Sequence, residues 1–153
     1  MQHCVDSLLA LIRATLTLMS AILLVIGAIF VVIASVLHVG IFWLESVRWR
    51  KPATWKRFGL KSQEDADVVR PMALNQGFYN LFLAIGGFVG FGFILEGPYR
   101  DVGIAVALFA VGSMLLASLV LLITQPRLAR AAATQGLAPL LATAALVLSL
   151  VLK

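Results

Sequence analysis

From Thr15 to Leu44 the chain carries no Asp, Glu, Lys or Arg, and almost every residue is apolar. A run of about thirty such residues has few places to fold. In a bilayer its backbone N–H and C=O groups must all be satisfied within the segment, and an α-helix does that. Two further runs are long enough to cross, Met72 to Leu95 and Val102 to Thr124. A fourth is strongly apolar only from Leu137 to Leu152, and its helix is predicted to begin near Arg127, with Ala131, Ala132 and Ala133 leading in. Pro139 is expected to kink or loosen it.

The predicted fold is therefore all-α, an integral membrane four-helix bundle forming a single transmembrane domain over residues 1–153. Its spans are placed at about 15–44, 72–95, 102–124 and 129–152. Composition agrees: 61% of the 153 residues are hydrophobic, 12% are charged and the mean hydropathy is +1.02. A soluble domain of this size needs a charged shell that these residues cannot supply. The runs do not alternate with period two, which disfavours a β-barrel. The first run is far longer than the apolar core of a signal peptide and reads as a retained helix. The single cysteine, Cys4, excludes an intrachain disulfide and reads as an idle thiol.

The formal charge is +5. Most of the basic residues flank helices, so they read as a topology signal and no nucleic-acid partner is expected. Arg48, Arg50, Lys51, Lys56, Arg57, Lys61 and Arg70 lie in the first connection, and Arg127 and Arg130 in the third. Those nine of the twelve basic residues stand against Arg13, Arg100 and Lys153 on the other side. The bias predicts cytoplasmic first and third loops and both termini on the non-cytoplasmic side.

The first helix exceeds its task, since thirty residues rise roughly 45 Å against a hydrocarbon core near 30 Å. Its Ile41–Trp49 end is expected to project into the interface, with Trp43, Trp49 and Trp55 at headgroup level. The basic loop, residues 45–71, reads as a clamp on anionic lipid headgroups. Within it Lys61–Asp67 is predicted as a short interfacial helix with Ser62 as N-cap, Phe58-Gly59-Leu60 as a turn, and Pro71 as the start of the second span.

Polar side chains within apolar runs are costly and point to sites. His38 and Glu45 are seven residues apart, hence on one helix face, and Trp49 continues the stripe. An imidazole and a carboxyl are the groups suited to proton exchange, so His38 and Glu45 are the candidate acid/base residues. In the second span Gln76 and Asn80 share a face by i,i+4 spacing, as do Asn75 and Tyr79. Gln135, beside Gly136 and one turn before Pro139, is a further wall of a possible site. Asn75, Gln76, Tyr79, Asn80, Gln135 and Trp49 are thus the candidate ligand-binding residues. The amides serve equally as interhelical glue. Gly86 and Gly90 form a small-xxx-small pair suited to close packing. No metal-ligand spacing, phosphate loop or nucleotide fingerprint is present, so no metal or cofactor is expected.

His38 and Glu45, Trp49, Phe58-Gly59, Asn75-Gln76-Gly77-Phe78-Tyr79-Asn80 and Gln135-Gly136-Leu137-Ala138-Pro139 together carry a resemblance. The chain resembles the small bacterial membrane proteins grouped as domain of unknown function number thirteen-oh-four, from about Val36 onward. The Asn-Gln-Gly-x-Tyr-Asn string is the most specific element. It departs from that pattern in its long segment before His38 and in Ala138 before Pro139. The resemblance implies four spans in a bacterial cytoplasmic (inner) membrane, a shared site at the polar cluster, and no established activity. The leading expectation is a cytoplasm-facing polar pocket for a small lipid-like or apolar ligand, with acid/base chemistry as its catalytic version. Alternatives are a homodimeric small-molecule transporter or exporter, and a structural or accessory membrane subunit.

Overall fold

The computed structural model describes residues 2–153 apart from the side chain of Cys4, so the reading of that thiol lies outside the described residues. Helix α1 spans Gln2–Phe42 and continues as a π-helical turn, Trp43–Val47. A single helical turn, α2, covers Pro52–Trp55; the long helices that follow are α3 (Gln63–Leu95), α4 (Arg100–Thr124) and α5 (Ala129–Val151). The fold is all-α, and four of its helical segments are long and apolar enough to cross a membrane: Val5–Val47, Gln63–Leu95, Gly97–Thr124 and Pro126–Val151.

The four long helices form a closed ring. α1 packs on α3 and α5, α4 packs on the same two, and α1 meets α4 only slightly across the diagonal. Two connections mark one end of the bundle: the α1–α3 loop and the α4–α5 turn approach each other at Gly59 and Leu128. At the opposite end Lys153 Nζ meets Asp101 Oδ1 at 2.9 Å, an exposed pair worth little to stability. The first is the loop end of the bundle and the second its terminus end.

Small residues decide how the helices approach. The central core joins Ala28, Val31 and Ala34 of α1 to Ile94 of α3, Ala107, Val111 and Met114 of α4, and Ala138, Ala142 and Leu146 of α5. Lipid tails are as apolar as a leucine side chain, so burial alone does not drive helix association in a bilayer; van der Waals contact between close backbones does. Gly86 and Gly90 serve that purpose within the chain, lying against Ala110 and Ala107 of α4. The face they form is therefore occupied and is not free to pair with a second copy.

Several local expectations need correction. The chain is helical well before Thr15, and nearly all of Gln2–Met19 is exposed until Ser20 Oγ donates to the Ser149 carbonyl at 2.7 Å. This segment projects past the terminus end of the ring. Gln2, Asp6, Arg13 and Thr17 recur on the side that continues toward the bundle, while Leu8, Leu11, Ile12 and Leu18 lie opposite. Ser62 does cap a helix, its Oγ accepting from Asp65 N at 3.0 Å, but that helix is not separate from the second span. It is the first turn of α3, which runs on through Pro71. Proline removes one N–H and is tolerated where the freed carbonyl, here that of Asp67, finds solvent or another partner. The loop thus shrinks to about residues 48–62. α5 likewise stays helical through Pro139.

Tryptophans that were expected in the headgroups instead organise that loop. Trp49 and Trp55 are buried with Ala66 and Ala73, flanked by Phe58, Leu60 and Val69, and only Trp43 is exposed. Trp49 Nε1 donates to the Ala66 carbonyl at 2.8 Å, and Trp55 Nε1 to Gln63 Oε1 at 3.2 Å. Gly59, with φ +83°, makes the left-handed turn that a side chain disfavours and lets the loop double back onto α3.

Two substitutions in α3 test the packing argument. A Cβ at Gly90 falls 2.6 Å from the Ala107 backbone nitrogen, so Gly90→Ala should destabilise the chain by about 1–3 kcal/mol. At Gly92 nothing lies within 4 Å, and Gly92→Ala should be neutral or stabilising by up to about 1 kcal/mol. Unfolding of the purified variants in detergent micelles measures both.

Candidate functional site

At the loop end α1 leaves its regular course. The Arg48 N–H reaches the Trp43 carbonyl at 2.9 Å, closing a π-type turn, the wider helical form that is frequent at functional sites. Two successive side chains of this turn, Glu45 and Ser46, face α3. Ser46 Oγ donates to the Leu74 carbonyl at 3.2 Å, and Glu45 Oε2 accepts from Asn80 Nδ2 at 2.8 Å. Asn80 Nδ2 also donates to the Gln76 carbonyl at 3.2 Å, which fixes the amide before it meets the carboxyl.

Gly77 makes the approach possible. A Cβ there would run into Ser46 Oγ and would lie 3.1 Å from Glu45 Cβ. The glycine in the middle of the Asn75–Asn80 string is therefore a spacer that brings the turn of α1 onto α3. Two similar approaches pair a serine with a glycine elsewhere: Ser35 on α1 with Gly87 on α3, and Ser118 on α4 with Gly136 on α5. Hydropathy and periodicity do not single out Ser35, Ser46 or Ser118. The available signal is a serine within or just past one apolar run and a glycine within or just before a neighbouring one.

His38 lies two turns deeper in α1, at 2% exposure among the most buried side chains of the chain. Its Nδ1 lies 2.9 Å from the Ala34 carbonyl. A carbonyl only accepts, so Nδ1 carries the proton and a neutral ring keeps its lone pair on Nε2. Seven residues separate His38 from Glu45, a rise of about 10 Å, so the two share a face without touching.

The other candidates are placed differently. Asn75, Gln76 and Tyr79 have exposed side chains on the outside of α3, so of the four polar residues in that string only Asn80 turns inward. The two i,i+4 stripes therefore do not both point into the bundle. Trp49 does not continue the His38–Glu45 stripe either, because the helix ends before it and its ring packs on Phe58 at a centroid distance of 5.2 Å. Gln135 is half-buried in the first turns of α5, at the same end of the bundle but on a helix across α1 from α3. On the seam between α1 and α3, Phe42 and Phe78 meet edge to face at 5.3 Å, one turn from the Glu45–Asn80 pair. Two grooves lie among the described residues at the ends of the bundle, and neither of these is lined by His38, Glu45 or Asn80. One of about 530 Å³ lies against the loop, lined by Arg50, Gln63, Asp67 and Arg70; the other, about 350 Å³, is at the terminus end between α1, α4 and α5.

The Glu45–Asn80 contact is separable by substitution. Asn80→Leu removes the donor from a buried carboxyl and should cost about 1–3 kcal/mol. Glu45→Gln retains an amide oxygen that accepts from Asn80 and should cost less than about 1 kcal/mol, near the mean for interhelical hydrogen bonds in membranes. Thermal unfolding in detergent distinguishes the two.

Among known proteins, a family model described as protein of unknown function (DUF1304) matches residues 31–147. No curated protein and no solved structure matches the chain.

Proposed function

The chain belongs to the DUF1304 family of proteins of unknown function, and from that premise we propose that it binds a small lipid-like or apolar ligand at the Glu45–Asn80 pair. The observation that carries this reading is a buried carboxyl held by a buried amide where two helices close around a π-type turn. Structural hydrogen bonds between membrane helices need no ionisable group, and a carboxyl inside a span marks a site more often than a brace. All the residues of this pair and its surroundings, from Ser35 to Pro139, lie within the family match.

In this reading the apolar body of the ligand lies along the α1–α3 seam and reaches the pair from the lipid side, past Phe42 and Phe78. Asn80 orients its polar end, with Gln76, Asn75 and Tyr79 at the rim and Gln135 on the far side of α1. Glu45 exchanges a proton with the ligand, and the Nε2 lone pair of His38 accepts a hydrogen bond or a proton from its deeper part. The loop end faces the cytoplasm and both termini the other side, in accord with the distribution of arginine and lysine. The bacterial inner membrane is the setting that fits.

A second reading is a homodimer that moves a small molecule. It is favoured by the outward-facing Asn75, Gln76 and Tyr79, polar groups on a face that a single chain leaves to lipid.

Mass spectrometry of small apolar molecules that co-purify with the protein tests the leading reading. Wild type should carry a bound species. Glu45→Gln and His38→Ala should lose most of it, with the unfolding temperature of Glu45→Gln close to wild type. If both variants keep the species, or none is found in wild type, the ligand reading is wrong. Collapse of the fold in both would assign these side chains to packing instead.

A further inference from the structure

The groove against the loop, lined by neither Glu45 nor Asn80, has its own chemistry. Arg50 follows Trp49, whose indole N–H is bonded to the Ala66 carbonyl; Arg70 lies one turn beyond Ala66 on α3. Gln63 ties the opposite wall, accepting from Trp55 Nε1 and donating to Asp67 Oδ1 at 3.0 Å. Two buried indoles thus hold the loop on α3, and the loop and α3 each contribute one arginine to the lining of a groove of about 530 Å³. Neither guanidinium is in an ion pair among the described residues, where Lys153–Asp101 is the salt bridge formed. The Asp67 carboxylate offsets part of the charge and leaves the lining net positive.

Depth along α3 narrows the ligand. Gln63, Asp67 and Arg70 recur at i, i+4 and i+7, and the same helix face continues through Leu74 and Phe78, both exposed and apolar. The uninterrupted apolar run of α3 starts at Met72, directly after Arg70 and Pro71. A polar, cationic groove therefore adjoins an apolar stripe along α3, the order in which a headgroup and its acyl chains would meet a helix entering a membrane.

We propose that Arg50 and Arg70 form a binding site for a phosphate oxyanion, and that its source is the headgroup of an anionic phospholipid whose chains descend along Leu74 and Phe78. Paired guanidiniums suit this ligand because each presents a planar fork of donors to phosphate oxygens. The basic loop as a whole attracts anionic membranes diffusely; this site binds one lipid at one place.

The test uses the full chain purified in detergent and titrated with short-chain phosphatidylglycerol, with phosphatidylcholine and with inorganic phosphate, the readouts being native mass spectrometry of bound lipid and thermal protection. Wild type should retain phosphatidylglycerol over phosphatidylcholine, and R50Q/R70Q should weaken that retention about tenfold, as expected for losing two arginine–phosphate contacts. R48Q/R57Q, which removes equal charge from the same loop outside the groove, should retain it, and R50K/R70K should fall between. Protection by inorganic phosphate that is lost in R50Q/R70Q, without lipid selectivity, would keep the oxyanion site and reassign its source to a soluble phosphate. Equal weakening in R48Q/R57Q and R50Q/R70Q, or no binding of either phosphate source by wild type, overturns the proposal. Both arginines are exposed, and unfolding of each variant without ligand verifies that the fold is retained.

Discussion

Backbone proximity is the constraint on which this bundle depends. Helices in lipid gain little by hiding leucines from one another, so they hold together only where their axes come close enough for dense van der Waals contact and short hydrogen bonds. Each neighbouring pair in the ring has a small-residue solution. Gly90 meets Ala107 between α3 and α4, Ser118 meets Gly136 between α4 and α5, Gly27 receives Leu146 between α1 and α5, and Gly77 receives the Glu45–Ser46 turn between α1 and α3. The last differs from the others because what enters the space brings a buried carboxyl with it. Asn80 and Glu45 can bond at 2.8 Å only because Gly77, one turn before Asn80, lets the turn of α1 settle against α3.

Much of this architecture was legible in the amino-acid sequence, for physical reasons that also explain the exceptions. Lipid forces backbone groups to pair within each segment, so hydropathy alone located four helices. It could not locate their ends, because helices extend through polar residues that water tolerates. Lys61–Asp67 reads as interfacial sequence, yet with Ser62 capping it the helix has no reason to stop before Met72. Pro71 looked like a helix start because proline is favoured there, but it costs a membrane-edge helix only one hydrogen bond near solvent. Trp49 and Trp55 looked like interface anchors, and their N–H groups instead found a backbone carbonyl and a glutamine side chain in a loop core.

The candidate site divides along the same line. Periodicity placed His38 and Glu45 on one face of α1, where both are buried. It could not say which of Asn75, Gln76, Tyr79 and Asn80 faces α1, since i,i+4 spacing gives pairs of neighbours but not the rotation of the helix. That rotation is set by the side on which Gly77 accepts Ser46, a contact between residues distant in sequence. Asn80 lies one turn on from the space so made, and the other three point away.

Glu45 and His38 then differ in what can reach them. Glu45 lies in the π-type turn, three residues before Arg48, where the helix ends and the loop begins. Its carboxyl is buried against Asn80 but lies at the loop end of the bundle. His38 sits about 10 Å deeper on the same face, with Nδ1 committed to the Ala34 carbonyl and no charged neighbour within its own helix between Arg13 and Glu45. Neither of the two grooves described reaches either side chain, so a molecule would meet them only by entering the α1–α3 seam itself. Under the proposed ligand-binding reading the two groups would therefore meet different parts of one molecule, Glu45 the part nearer the loop and His38 the deeper part.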